Sequence, residues 1–270
     1  MSKSVGFIGC GSMAECIMAG ALKSGALKAD TTYVSNRTES TVERLKKAYG
    51  VRNGTPCEVT RACDIIILGV KPYGIADMCQ TIKNEVTQEK VIISIAAAIS
   101  IETIEKNLPA SSKVIRVMPN VPALVGYAMT SLSPNASTTK EDVDLVYSLF
   151  EAVGKVEVVP ESSIHAVIGC SGSSVAYAFL FLEALTDAAV HGGLTRVQAQ
   201  NMAAQAVVGA AKMMQETGKS PAQLKDMVCS PGGTTIEAVR YLEKGGMRSA
   251  VIEAAIECME KSKKLEKQYN

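Results

Sequence analysis

Val5-Gly6-Phe7-Ile8-Gly9-Cys10-Gly11-Ser12-Met13-Ala14 is the stretch on which the reading of the fold turns. A short apolar, strand-forming run meets Gly-x-Gly-x-x-Ala, and a helical pattern starts at Met13. Gly9 permits a tight turn, Gly11 lets the backbone approach a pyrophosphate, and Ala14 lets the helix pack closely on the strand. The free N–H groups at a helix start favour an anion. The loop therefore predicts a dinucleotide held through Gly9, Gly11, Ser12 and Met13.

Outward from this loop, strand-like runs at Thr32–Ser35, Ile65–Val70, Val91–Ile95 and Val114–Met118 alternate with helical patterns at 13–24, 39–49, 74–85 and 101–107. Such alternation predicts a parallel sheet. The continuous apolar runs at 65–68 and 91–93 fit central strands covered on both faces. Further strands are expected at Ala128–Leu132 and Lys155–Val159, around a helix at 140–152. The reading is an α/β protein whose residues 1–160 form a Rossmann-like dinucleotide-binding domain.

The end of the second strand selects the cofactor. An NAD site usually has a carboxylate there for the ribose 2′-hydroxyl, whereas this chain has Ser35-Asn36-Arg37-Thr38. Arg37 offers a permanently charged fork to a 2′-phosphate, with Ser35, Asn36 and Thr38 as further donors. NADP(H) is expected over NAD(H). Val70, Lys71 and Pro72 fall at the carboxyl edge of the sheet, where their segment is expected to line the cofactor, and Ala96 and Ala97 leave room beside a nicotinamide.

After Pro160 the pattern is all-helical, with helices near 162–168, 175–191, 196–217, 221–228, 235–244 and 247–268. The helix at 175–191 is apolar nearly all round through Ala176-Tyr177-Ala178-Phe179-Leu180-Phe181-Leu182 and must be covered. A second subunit is the expected cover, which makes 161–270 a dimerisation domain. The Met and Ala stripe of the next helix reads as packing.

Within this region Ser230-Pro231-Gly232-Gly233-Thr234-Thr235 again feeds a helix start. The N–H groups of Gly233, Thr234 and Thr235 with the Ser230 hydroxyl suit a carboxylate, leaving a threonine hydroxyl for a neighbouring heteroatom. On the loop alone, an anion site and an ordinary capped turn remain open alternatives.

Composition narrows the partners. The 270 residues are 47% hydrophobic and carry a net charge of +1, which gives no electrostatic reason to expect nucleic acid or an acidic membrane. No transmembrane segment or secretory leader is expected, and the chain reads as cytoplasmic. The eight cysteines are spread without a C-x-x-C pair and read as reduced thiols; with only His165 and His191 as imidazoles, no metal is expected.

Taken together, Phe7–Ala14, Ser35-Asn36-Arg37, Val70-Lys71-Pro72, Arg116-Val117-Met118-Pro119-Asn120-Val121-Pro122, Gly209–Met213 and Leu224–Thr235 resemble the pyrroline-5-carboxylate reductase family. The resemblance spans most of the chain in the family's order. It implies NADPH-dependent hydride transfer to a cyclic imine, the final step of proline biosynthesis, in a homodimer or higher homo-oligomer with each substrate site near the subunit interface. It assigns the substrate carboxylate to Ser230, Gly232, Gly233, Thr234 and Thr235, and places Thr235 beside the ring nitrogen as the catalytic residue. Four positions depart from the family pattern: Ser174-Val175 replaces Gly-Pro, Pro56 replaces a frequent asparagine, and Cys16 replaces a frequent alanine. Two alternatives stay open at this stage. One is a β-hydroxyacid dehydrogenase-like reductase with Lys212 as its catalytic lysine; the other is a non-catalytic NADPH sensor.

Overall fold

The computed structural model describes residues 3–270; Met1 and Ser2 lie outside the described residues. The chain divides into two compact units, Met1–Ser173 with Cys258–Asn270, and Ser174–Glu257.

The first unit is built on an eight-stranded sheet: β1 (Val5–Ile8), β2 (Thr32–Ser35), β3 (Arg52–Asn53), β4 (Ile65–Leu68), β5 (Val91–Ser94), β6 (Lys113–Met118), β7 (Ala128–Pro134) and β8 (Gly154–Val158). Their order is β3-β2-β1-β4-β5-β6-β7-β8. All neighbours pair in parallel except β6 and β7, so the last two strands run opposite to the first six. The parallel expectation thus holds up to β6. The link 119–127 is too short for a crossover, which takes a dozen or more residues, and the chain therefore turns back antiparallel.

Alternation of side chains explains the apolar runs. Phe7, Ile65, Ile67 and Ile93 face one layer with Ile17 and Met18 of α1 (Ser12–Lys23) and Leu149 and Phe150 of α6 (Lys140–Glu151). Ile8, Ile66, Leu68 and Ile92 face the other, with Val59 of α3 (Pro56–Ala62), Ile75 and Ile82 of α4 (Ile75–Ile82) and Ile104 of α5 (Ile101–Lys106). A strand buried on both faces needs an apolar residue at every position. The sequence reading lacks β3 and α3. Two residues give no periodicity, and seven give barely two turns; α3 is announced instead by its capping box, in which Thr55 accepts from the Glu58 N–H and the Glu58 carboxylate accepts from the Thr55 N–H.

No strand follows β8, as expected after Pro160, yet the boundary between compact units falls at Ser173 rather than at 160. Long-range contacts set it there. On the first helix past Pro160, α7 (Ile164–Val167), Ile164 is buried; Glu161 bonds Arg116 and the Ile101 N–H, and Asn120 donates to the Ser171 carbonyl. The end of the chain returns to this unit through Glu266, which pairs with both Arg116 and His165.

The second unit contains α8 (Ser174–His191), α9 (Arg196–Thr217), α10 (Pro221–Val228), α11 (Thr234–Lys244) and the start of α12 (Met247–Tyr269). Thr195 and Ser220 cap α9 and α10 with reciprocal bonds to Gln198 and Gln223. Little of this unit is covered within one chain: Phe179 is 64% and Leu180 68% exposed. One helical stretch, Glu161–His191, is long and apolar enough by length and composition to cross a membrane, which corrects the expectation that no such stretch exists. A search for strictly apolar runs misses it because Glu183, Asp187 and several serines interrupt them.

Candidate functional site

The Gly-rich loop forms where β1 ends. The Gly9 N–H donates to the Ser35 carbonyl at 2.8 Å and the Gly69 N–H to the Ile8 carbonyl at 2.8 Å, so the ends of β2, β1 and β4 are tied side by side. Gly9 has φ +83°, and a Cβ there would come within 2.7 Å of the Val70 nitrogen. Only glycine fits this turn. Nothing lies within 4 Å of a Cβ built on Gly11, which leaves its backbone face open to a ligand. α1 starts at once, with no side chain capping its first N–H groups.

In front of this loop lies a cleft of about 590 Å³ lined by Gly9, Gly11, Ser35, Asn36, Arg37, Val70 and Lys71 among the expected residues. Arg37 is exposed in it, and has no ion-pair or hydrogen-bond partner among the described residues. Every other arginine holds a carboxylate or a tyrosine hydroxyl, as in the bidentate Arg44–Glu15 and Arg61–Glu85 pairs. A cleft with an open glycine cradle and an unengaged guanidinium fits a dinucleotide carrying a 2′-phosphate.

Asn36 stands differently from its expected role as a phosphate donor. Its Oδ1 accepts from the Cys10 N–H at 2.5 Å and its Nδ2 donates to the Cys10 carbonyl at 3.3 Å, so it braces the Gly-rich loop. Ser35 is buried in β2 opposite Ile8. Five expected residues are not part of the cleft wall. Ser12 lines a separate cavity with Glu15 and Val125; Met13 packs half-buried against the core; Pro72 opens the turn Pro72–Gly74; Ala96 is buried beneath the sheet and Ala97 is exposed beyond β5. Tyr73, Gly74 and Met78 do line it and were missed, although an aromatic just after Lys71-Pro72 at the carboxyl edge was a readable signal. Pro56 also lines the cleft as the first residue of α3, presenting a ring where an asparagine would present an amide, while Asn53 is exposed on β3.

In the second unit, Ser230–Gly233 is a turn closed by the Gly233 N–H donating to the Ser230 carbonyl at 3.1 Å, with Gly232 at φ +66°. One of the three amides expected for an anion is therefore used within the loop. Those of Thr234 and Thr235 open α11, whose start carries no side-chain cap, and the hydroxyls of Ser230, Thr234 and Thr235 have no partner among the described residues. The loop thus presents two free amides and three hydroxyls on one helix end.

His165 contacts the Ser262 hydroxyl at 3.0 Å and Glu266 at 3.1 Å, which makes it an anchor for the last helix. Asp187 pairs with Arg196, and Lys212 is an exposed residue of α9. Cys16 packs with Ala123, Ala128 and Val153. Ser174-Val175 begins α8 directly after a π-helical turn over Ile168–Gly172, closed by the Ser173 N–H on the Ile168 carbonyl at 2.8 Å. All eight cysteines are free, and burial pushes the Cys10, Cys63 and Cys79 thiols up to about 12.

Comparison with known proteins agrees with this anatomy. Residues 161–265 match the family described as pyrroline-5-carboxylate reductase dimerisation, and residues 4–98 match NADP oxidoreductase coenzyme F420-dependent. The chain is 47% identical over 268 residues to pyrroline-5-carboxylate reductase of Escherichia coli, covering 99% of this chain and 100% of that protein. A solved pyrroline-5-carboxylate reductase from Coxiella burnetii superposes with a TM-score of 0.92 at 35% identity, covering 98% and 99% of the two chains. The Plasmodium falciparum pyrroline carboxylate reductase, solved with NADP bound, gives 0.87 at 29% identity and 98% coverage of each. Two Gly-rich helix starts, one beside a free arginine and one bearing a Ser-Pro-Gly-Gly-Thr-Thr turn, are thus carried on a chain that matches these proteins end to end, and it belongs to the pyrroline-5-carboxylate reductase family.

Proposed function

We propose that this chain reduces L-1-pyrroline-5-carboxylate to L-proline with NADPH, the final step of proline biosynthesis, and accepts NADH less well. The observation that carries the reading is identity of 47% along essentially the whole chain, with both Gly-rich loops present. A reduced nicotinamide would supply a hydride to the carbon of the C=N bond, C2 of the 1-pyrroline ring and Cδ of the proline formed, with the nitrogen protonated, leaving the cyclic amine.

The chain's own residues bind, orient and exclude water. Gly9 and Gly11 admit the pyrophosphate to the start of α1, and Arg37 receives the 2′-phosphate with Lys71 near the cofactor's charged groups. Ser12 and Met13 contribute backbone at the helix start, Ser35 lies at the ribose edge, Asn36 braces the loop that receives the pyrophosphate, and Val70 lines the cleft. The Ser230 hydroxyl and the free Thr234 and Thr235 amides hold the substrate carboxylate on the turn that Gly232 and Gly233 form, and the Thr235 hydroxyl accepts from the iminium N–H. Holding the ring by its carboxylate and its nitrogen fixes the orientation of the C=N carbon for hydride, and positioning of two reactants supplies most of the rate.

We assign residues 1–160 to cofactor binding and 161–270 to dimerisation and substrate, a functional division that differs from the compact units. The exposed apolar helices of the second unit support a homodimer or higher homo-oligomer, and we place the protein in the cytoplasm with neither a membrane nor nucleic acid as partner. Absorbance decay of NADPH and of NADH with fresh pyrroline-5-carboxylate, with proline confirmed as product, tests the reading. Rapid decay favouring NADPH is expected; turnover of small hydroxyacids in place of the imine, or NADPH binding without turnover, would reject it.

A further inference from the structure

We propose that Tyr73 is the stacking platform for the adenine base of the dinucleotide, an inference that rests on the cofactor reading above. Its position follows from the turn that carries it. β4 ends at Leu68, Lys71-Pro72 starts a tight turn over Pro72–Gly74, and the Gly74 N–H closes it on the Lys71 carbonyl at 2.9 Å. Tyr73 at the centre of this turn is thrust outward. It is 75% exposed, the highest value among the exposed large apolar and aromatic side chains, and has no hydrogen bond or ring contact among the described residues.

Mostly uncovered and bonding nothing, the ring leaves an aromatic face in water that the fold itself does not need. It stands on the cleft that also holds Arg37 and Thr38, across from it on the β2 side, with Pro56, Val70 and Met78 as further apolar wall. The chemistry of the ligand fixes which end lies here. A 2′-phosphate is carried by the adenosine ribose, so a site whose free guanidinium takes that phosphate holds the purine one sugar away. A flat heterocycle between apolar side chains and an exposed tyrosine gains by covering the ring. Because adenine is common to both cofactors, Tyr73 sets affinity for both, whereas Arg37 separates them.

The test is equilibrium binding of 2′,5′-ADP, which carries the adenosine end alone, and of NADPH and NADH, measured by titration calorimetry on the full chain. Tyr73→Ala is expected to weaken all three by about tenfold, and Tyr73→Phe to stay within about twofold of the parent because the ring suffices. Since the chain has no Trp, tyrosine emission is directly visible, and 2′,5′-ADP should quench less of it in Tyr73→Phe than in the parent. Tyr73 is exposed, so both variants should keep the parent's melting temperature. Unchanged affinity in Tyr73→Ala, or a loss in Tyr73→Phe as large as in Tyr73→Ala, would overturn the stacking while leaving the cofactor reading intact. Failure of the parent protein to bind NADPH would overturn both.

Discussion

The Asn36 side chain grips the backbone of Cys10 at both of its polar atoms, accepting from the N–H at 2.5 Å and donating to the carbonyl at 3.3 Å. A residue at the end of β2 thereby fixes the middle of the Gly-x-Gly turn at the end of β1. The amide contributes shape to the loop rather than a bond that distinguishes one cofactor from another.

Asn36→Ala should therefore weaken NADPH and NADH alike. Two partly buried hydrogen bonds to backbone contribute about 1–2 kcal/mol together, so a loss of about tenfold is expected for each cofactor. Calorimetric titration with both cofactors checks this; a loss confined to NADPH would place Asn36 on the 2′-phosphate instead.

Arg37 and Thr235 should fail in complementary ways. Arg37→Ala removes charge-assisted bonds of about 1.5–3 kcal/mol and should weaken NADPH by about ten- to a hundredfold, with little effect on NADH. Thr235→Ala should lower kcat by about tenfold or more and leave NADPH affinity as it was. Binding of both cofactors and steady-state rates, measured on both variants, decide the assignment; reversed effects would sink the division of labour between the two loops.

What the sequence made legible is what is local. The Gly9 turn, the Arg37 edge and the doubly buried strands follow from spacing and residue chemistry within a few positions, and the structure has them where the pattern puts them. Asn36 was read as a donor because its grip on Cys10, 26 positions away in sequence, leaves no mark in the pattern. The compact units divide at Ser173, apart from the functional division at 160, for the same long-range reason, since Glu266 reaches back to Arg116. The reversal at β7 was readable in principle from the length of the link 119–127, and α3 from Thr55-Pro56 with Glu58.

Arg116 is the centre of that long-range clasp. Its side chain is 3% exposed and meets Glu161 at 2.9 Å and Glu266 at 2.6 Å, while Glu266 also holds His165. Arg116→Met would leave two carboxylates sharing a mostly covered site without their cation. Breaking a buried pair by removing one partner costs about 3–5 kcal/mol, and part of the two carboxylates is solvated, so a loss of about 2–4 kcal/mol is expected in denaturant unfolding. Adding Glu266→Gln to Arg116→Met should restore some of it by removing the repulsion. A second substitution that destabilises further would show that Glu266 stabilises through His165 more than it repels Glu161.

Acid should release a different contact. The bidentate hydrogen bonds from Arg44 hold the Glu15 carboxyl below its ordinary value, opposed by its partial burial and helped by the Tyr49 hydroxyl. A carboxyl whose folded pKa is depressed binds fewer protons folded than unfolded, so its stabilisation is complete above the unfolded pKa of about 4.3 and fades as pH falls through the folded one. Glu15→Gln should consequently unfold more easily than the parent at pH 7. The gap should narrow below about pH 4.3 and close once the parent's carboxyl is protonated in the folded state too. Melting temperatures of the two proteins from pH 7 to pH 3 give the curve directly. A gap that stays constant across that range would mean that Glu15 stabilises α1 by its shape and position, and that its ion pair with Arg44 contributes nothing measurable.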